Sequence, residues 1–136
     1  MMKKFNTFFI VAIGLLFMYA GITKLLDFNN FVIQLDSSPL IPDSLTLIVA
    51  RGLPILEILI AIGLCFDATR KLCSYLTFAV MLGFTVYLVV LVIFFENVPC
   101  SCGGILGKMS YPVHIIFNIV FTAIAGFLCV NTDAEN

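Results

Sequence analysis

The sequence predicts an all-α integral membrane protein: a four-helix bundle with a short amphipathic outer helix between its first and second spans. Of its 136 residues, 62% are hydrophobic and only 11% are charged, and the mean hydropathy is +1.16. A soluble domain has roughly a quarter of its residues charged, so lipid must cover most of this surface. Backbone groups in lipid must be paired, and the apolar runs lack the alternation of barrel strands, so we expect helices.

Four apolar stretches have the length of about 20 residues that crosses ~30 Å of hydrocarbon. The predicted spans cover residues 5–26, 45–66, 75–95 and 112–130 of one membrane domain. Lys3 and Lys4 followed by an apolar run also fit a signal peptide. However, the stretch "YAGITKLLDF" offers no convincing small-x-small cleavage site, so the first span is expected to be retained.

The segment between spans one and two is predicted to be the short amphipathic helix. Its apolar residues recur at helical spacing, and prolines follow them: Phe28, Phe31, Val32, Leu35, then Pro39 and Pro42. Such a helix lies in the membrane interface. Covering the end of the bundle is its expected role.

Basic residues predict the orientation. Lys3 and Lys4 precede span one, and Arg70 and Lys71 lie in the loop "DATRKLCS" between spans two and three. The positive-inside rule assigns both segments, and hence both chain ends, to the cytoplasm. The loop before span four then faces outward. In a bacterial inner membrane that is the periplasmic side, where disulfides form and persist.

That loop, residues 96–111, contains Cys100 and Cys102 within "VPCSCGGILGKMSYPVH". A Cys-x-Cys disulfide closes a very small, strained ring, and strained disulfides are the labile, catalytic ones. A structural disulfide would stabilise more by closing a long loop. The pair is therefore predicted to be a redox couple. Cys65 and Cys129 are expected to be small buried hydrophobes. Cys65, Cys73 and Cys129 all lie near the cytoplasmic span ends, which would also suit a second dithiol relay.

Neighbouring groups favour the thiolate form of this pair. Lys108 supplies a cation, and the positive N-terminal end of span four follows directly. His114 can hold or pass a proton, and Asn118, four residues later, shares its helix face. The alternative is that His114 only forms hydrogen bonds at the interface.

The same loop also supports other interpretations. Cys100, Cys102, Met109 and His114 form a soft ligand set suited to Cu(I), which would make the protein a copper-binding or transport module. A non-catalytic membrane subunit that anchors a soluble partner is a further alternative.

Charged residues inside the spans are the second functional signal. Glu57 lies near the middle of span two, and Arg51 lies nearer its outer end. Ionisable groups at such depth are costly unless paired, so both are predicted to face the bundle interior. Lys24, near the outer end of span one, either reaches inward or extends to the interface. Three residues are candidate partners for Glu57: Arg51, Tyr87 and Asn118. Two roles remain open for these buried charges: a polar clamp that fixes helix packing and a proton relay.

Three stretches resemble the DoxX-like and MauE-like redox-associated membrane proteins over almost the whole chain: "LLFMYAGITKL" (15–25), "LPILEILIAIGL" (53–64) and "PCSCGG…KMS…H…FN" (99–118). By position, the resemblance implies that Lys24, Glu57, Cys100 and Cys102 are the family-like residues. Family loops often have Cys-x-Cys-Phe-Gly, whereas a Gly-Gly pair follows here, which leaves the partner preference open.

The resemblance implies a four-helix membrane bundle that works with a periplasmic thioredoxin-fold protein in thiol–disulfide traffic. MauE proteins are implicated in maturing the disulfide-rich small subunit of methylamine dehydrogenase. We therefore expect Cys100 and Cys102 to exchange electrons through a mixed disulfide, in either direction. A lipid quinone held between helices is another candidate electron partner. The lipid bilayer is an expected partner, and nucleic acid is not.

Overall fold

The computed structural model describes residues 2–95 and 110–135 of the chain. These two ranges form five α-helices: α1 (Met2–Leu26), α2 (Phe28–Asp36), α3 (Asp43–Leu64), α4 (Asp67–Phe94) and α5 (Tyr111–Glu135). No strand occurs within them. The predicted all-α fold class is confirmed.

The four long helices α1, α3, α4 and α5 are long and apolar enough to cross a membrane. Their outer surfaces expose many large apolar side chains, more than the water-exposed surface of a soluble protein usually has. Examples from each of the four are Leu15, Leu59, Val86 and Ile116. This surface fits lipid, and the predicted bundle of four spans with one short additional helix is confirmed.

The long helices pack as two antiparallel pairs, α1 with α3 and α4 with α5. Gly14 of α1 lies opposite Ala61, and Gly21 lies opposite Pro54 and Ile58, so the two chain directions oppose each other. An apolar core joins the two pairs, and its largest members include Ile13, Phe17, Ile60, Leu64, Met81 and Leu128.

The bundle therefore has two ends. The α2 end is where α1 and α4 finish and where α3 and α5 begin; the opposite, terminal end contains the first residues of α1 and the last of α5. At the α2 end the Tyr87 hydroxyl donates a 2.7 Å hydrogen bond to Ser38 Oγ. At the terminal end Asn131 Nδ2 donates to Asn6 Oδ1 over 3.2 Å. Each end thus has a polar contact between elements distant in sequence.

Helix α2 has the predicted amphipathic character. Phe31 and Leu35 are buried, and they pack together with Ala50 of α3. Ile33, on the opposite face, is exposed. The helix closes when the Ser37 backbone N–H donates to the Ile33 carbonyl. The apolar face of α2 therefore covers the outer part of α3.

The prediction that "DATRKLCS" forms a loop was wrong, because α4 begins at Asp67 rather than at position 75. The side chains of this stretch satisfy carbonyls at the end of α3, which otherwise lack helical partners. Thr69 Oγ1 donates to the Gly63 carbonyl over 2.7 Å, and Arg70 Nε donates to the Leu64 carbonyl over 3.1 Å. The Asp67 carboxylate also suits the positive start of α4.

Candidate functional site

The most polar feature in the middle of the bundle is an ion pair between Lys24 of α1 and Glu57 of α3. Lys24 Nζ lies 2.7 Å from Glu57 Oε1 and 2.9 Å from Oε2, so both carboxylate oxygens accept hydrogen bonds. Only 2% of the lysine side chain and 3% of the glutamate side chain are exposed. In a low-dielectric interior such charges persist only when they are paired with good geometry.

The backbone of α1 and α3 approaches closely beside this pair because position 21 is glycine. A Cβ atom on Gly21 would lie 2.9 Å from the Pro54 carbonyl oxygen and 2.7 Å from Ile58 Cγ1. Helical side chains lean toward the N-terminus of their own helix. In two antiparallel helices, Lys24 and Glu57 therefore lean toward each other. The Gly-x-x-Lys and Pro-x-x-Glu elements meet in space for this reason.

Two aromatic rings enclose the ammonium group. Lys24 Nζ lies 5.1 Å from the centre of the Phe84 ring and 5.8 Å from that of the Phe31 ring. Aromatic faces attract cations at such distances, and the attraction is stronger where water is excluded. Phe31 belongs to α2 and Phe84 to α4, so the lysine contacts three other helices of the structure.

Helix α5 contributes His114 and Asn118 to the same region. Both are buried, with His114 1% and Asn118 5% exposed. Together with Lys24 and Glu57 they line a cavity of about 30 Å³ whose other walls are mainly apolar. That space exceeds what one water molecule needs. The cavity thus brings a lysine, a glutamate, a histidine and an amide together inside an apolar bundle.

The Asn118 amide places a donor without a described partner beside this cavity. Its Nδ2 is buried and has no hydrogen-bond partner among residues 2–95 and 110–135. An unsatisfied buried donor costs about 1–3 kcal/mol, so native proteins rarely leave one without a water or ligand. A water in the cavity would satisfy it.

The structure brings together four of the predicted site residues: Lys24, Glu57, His114 and Asn118. Of the alternatives left open for Lys24, the inward one is what the structure shows. The other predicted members of the site, Cys100, Cys102, Lys108 and Met109, lie outside the described residues.

Two expectations about the charged residues were wrong. The partner of Glu57 is Lys24, which donates to both carboxylate oxygens and was not among the three candidates Arg51, Tyr87 and Asn118. Arg51 does not face the interior; it is exposed on α3. It lies about two turns into that helix, and its long side chain can extend toward the membrane interface.

The three other cysteines form no disulfide with one another. Cys129 is buried as expected, whereas the same expectation for Cys65 was wrong, because Cys65 is exposed; Cys73 is buried as well. Cys73 Sγ packs against Gly63, where an added Cβ would lie only 2.3 Å from the sulfur. Cys73 therefore fills the contact between α3 and α4.

Sequence reasoning missed Phe84 and Met81 as parts of the site. Both line the cavity, and both stand in an apolar span where nothing distinguishes an inward-facing residue from a lipid-facing one. The small polar residues Ser74 and Thr77 could have given a weak signal, since they are buried on the same face of α4 as Met81.

Within the described ranges, no group of three His, Cys, Asp or Glu residues is arranged to hold a metal ion. The copper ligands considered above include only one residue, His114, in those ranges. What the visible arrangement offers chemically is a set of groups that can donate, accept and hold protons away from bulk water.

In a comparison with protein families, a family model described as "Methylamine utilisation protein MauE" matches the chain over residues 2–131. The match covers α1, α3, α4, the Cys-x-Cys stretch and α5 as far as position 131. No curated protein and no solved structure matches the chain.

Proposed function

The chain belongs to the MauE family of membrane proteins, and from that premise we propose that it is a membrane-embedded thiol–disulfide redox protein. Cys100 and Cys102 exchange electrons with a periplasmic thioredoxin-fold protein. This exchange supports the maturation of disulfide-containing periplasmic proteins. The bundle itself supplies the anchor and a proton-handling site.

The observation that carries this proposal is the polar cavity formed by Lys24, Glu57, His114 and Asn118. His114 stands in the first turn of α5, and Cys100 and Cys102 precede that helix in the sequence by a short stretch. Thiol–disulfide exchange needs a thiolate, so a proton must leave one sulfur before attack and reach another afterwards. Buried groups that hold protons suit that chemistry.

When the protein is the reductant, Cys100 and Cys102 start as two thiols and end as a disulfide. One thiol of the pair loses its proton, and the thiolate attacks a disulfide sulfur of the partner, which breaks the partner's S–S bond and forms a mixed disulfide. The second thiolate attacks the mixed disulfide and releases the partner. Two electrons and two protons pass to the partner, and Cys100 and Cys102 become joined. The same steps run backwards when the protein is the oxidant.

A trapping experiment tests the proposal directly. Cys100→Ala and Cys102→Ala forms are expressed in membranes, free thiols are alkylated, and covalent adducts are identified by mass spectrometry. We expect one of the two variants to accumulate a mixed disulfide, because the remaining thiolate has no neighbour to resolve it. The double variant should give none.

Cys65→Ala is the matched control, since it removes an exposed cysteine of the terminal end and should leave the adduct and the partner unchanged. The redox proposal fails if neither single variant traps a protein and Cys100 and Cys102 never form a disulfide. Stoichiometric copper that is lost on Cys102→Ser would favour a copper-binding role. Full partner activity with Cys100→Ser would favour a non-catalytic anchor.

A further inference from the structure

A second cavity lies at the terminal end of the bundle and shares no lining residue with the cavity beside Lys24 and Glu57. Its volume is about 560 Å³, which is within the range of small-ligand sites. It is bounded by the first turns of α1, the start of α4 and the end of α5. Its lining residues are Lys3, Asn6, Thr7, Ile10, Arg70, Leu128 and Thr132.

Two of those lining residues are cations, and none is an acid. Among the described residues Lys3 takes part in no ion pair. Arg70 is held in place by its Nε bond to the Leu64 carbonyl and by an ion pair between Nη1 and Asp67. A guanidinium has five N–H donors, so these contacts leave others available. The cavity therefore offers positive charge and fixed donors.

The acidic groups nearby do not line the cavity, although Asp67 offsets part of the Arg70 charge. Asp67 has 91% of its side chain exposed, so it points to the surroundings of the bundle while it pairs with Arg70. Asp133 pairs instead with Lys71 over 2.9 Å and also accepts a hydrogen bond from Tyr75.

The polarity of the wall changes with depth along α1. Lys3 stands at the end of the helix, Asn6 and Thr7 follow one turn deeper, and Ile10 lies another turn toward the middle of the membrane. On α5 the hydroxyl of Thr132 lies near the end, and the buried Leu128 lies one turn deeper. A molecule that fits this gradient has an anionic head and an apolar tail.

We propose that this cavity binds the phosphate group of an anionic phospholipid, with Lys3 and Arg70 contacting the phosphate and with the acyl chain entering beside Ile10 and Leu128. Basic pockets between membrane helices bind anionic head groups by this charge complementarity. A free phosphate ion would share the chemistry of the head, but it would leave the apolar half of the cavity unfilled.

Native mass spectrometry of the full chain tests the site, with phosphatidylglycerol and phosphatidylcholine of identical acyl chains titrated into detergent-purified protein. We expect preferential binding of phosphatidylglycerol. Lys3→Gln should weaken that binding about fivefold, which corresponds to the usual contribution of one basic residue near a lipid surface. Arg70→Gln should weaken it at least as much, with helix content followed by circular dichroism because Arg70 also stabilises the α3–α4 turn.

Lys4→Gln is the matched control, since it removes the same charge from the neighbouring position, which does not line the cavity. Equal weakening by Lys3→Gln and Lys4→Gln would overturn the proposal and indicate general surface charge. Displacement of phosphatidylglycerol by millimolar inorganic phosphate would also overturn it and indicate a free-anion site. The lipid site does not involve the thiols, so Cys100→Ala should bind the lipid as the parent chain does. Failure of lipid binding and failure of thiol exchange can therefore be told apart.

Discussion

Lys24 and Glu57 are charged side chains at a depth where most positions of this protein are apolar. Removing an ion from water costs several kcal/mol even after relaxation, and the attraction within the pair offsets that cost only with close geometry. The 2.7 and 2.9 Å contacts and the two aromatic rings around the ammonium group supply that geometry. The two residues therefore depend on each other: either one alone is a buried, uncompensated charge.

This dependence gives a first prediction. Lys24→Met and Glu57→Met should each lower the free energy of unfolding by about 3–5 kcal/mol, because each leaves one buried charge unpaired. The double variant should recover most of the loss, since two methionines of similar volume fill the space without any charge. Unfolding in detergent micelles, followed by circular dichroism as denaturing detergent is added, measures all four chains of the cycle.

Arg51→Met is the control for this cycle, because Arg51 is an exposed charge on the same helix. Arg51→Met should lower the free energy of unfolding by no more than about 0.5 kcal/mol, because it leaves no buried charge unpaired. Losses that simply add in the double variant would show that the pair is not energetically coupled.

The sequence was informative about which polar residues line this cavity and less informative about which residues pair. A glutamate and a lysine inside apolar spans are conspicuous, so Glu57 and Lys24 were both predicted as site residues. The partner of Glu57 was not, because a flexible lysine near a helix end can reach either the interface or the interior. The deciding factor is the close contact at Gly21, which depends on how two helices pack.

At the scale of helices, Gly21 sets the distance between α1 and α3. A second prediction follows: Gly21→Ala should lower stability by about 1–3 kcal/mol, although alanine is the better helix former. The new Cβ would lie 2.9 Å from the Pro54 carbonyl oxygen, a backbone atom that cannot move without α3. Micelle unfolding measures the loss.

Gly52→Ala is the matched control for this change. A Cβ at Gly52 meets nothing within 4 Å, so the same substitution should leave stability unchanged or raise it by up to about 1 kcal/mol. If both glycine variants behave alike, helix propensity rather than close packing governs position 21.

The elements themselves were predicted with different success for physical reasons. Helix α2 was predicted correctly, because its short apolar stripe is spaced for one face of a helix and prolines follow it. The start of α4 was placed too late, because the charged stretch from Asp67 to Ser74 was interpreted as a loop. In this stretch Thr69 and Arg70 bond back to carbonyls at the end of α3, six residues earlier, and composition alone does not show such hydrogen bonds.

The two ends of the whole molecule differ in charge. In the described ranges the α2 end has the acidic residues Asp27, Asp36 and Asp43. The terminal end has the basic residues Lys3, Lys4, Arg70 and Lys71, together with the acids Asp67 and Asp133. Basic residues near span ends remain in the cytoplasm during insertion. The expected orientation therefore places the α2 end outside.

Site-specific labelling tests this orientation. With the five native cysteines replaced by serine, Asp36→Cys should react with a membrane-impermeant maleimide from the periplasmic side. Asp67→Cys, also exposed but at the terminal end, should react only after the membrane is permeabilised. The reverse pattern would place the connection between α4 and α5 in the cytoplasm, and the proposed exchange with a periplasmic partner would then be wrong.

The ion pair between α1 and α3 also constrains how the protein is made. Helix α1 is synthesised first. Its Lys24 lies close enough to the end of the helix to keep its charge among lipid head groups before α3 is inserted. Glu57 lies near the middle of α3 and is too far from either helix end to reach the lipid head groups. Stable insertion of ionised Glu57 into the bilayer requires Lys24 of α1 as its partner. Insertion of α3 is therefore coupled to the presence of α1.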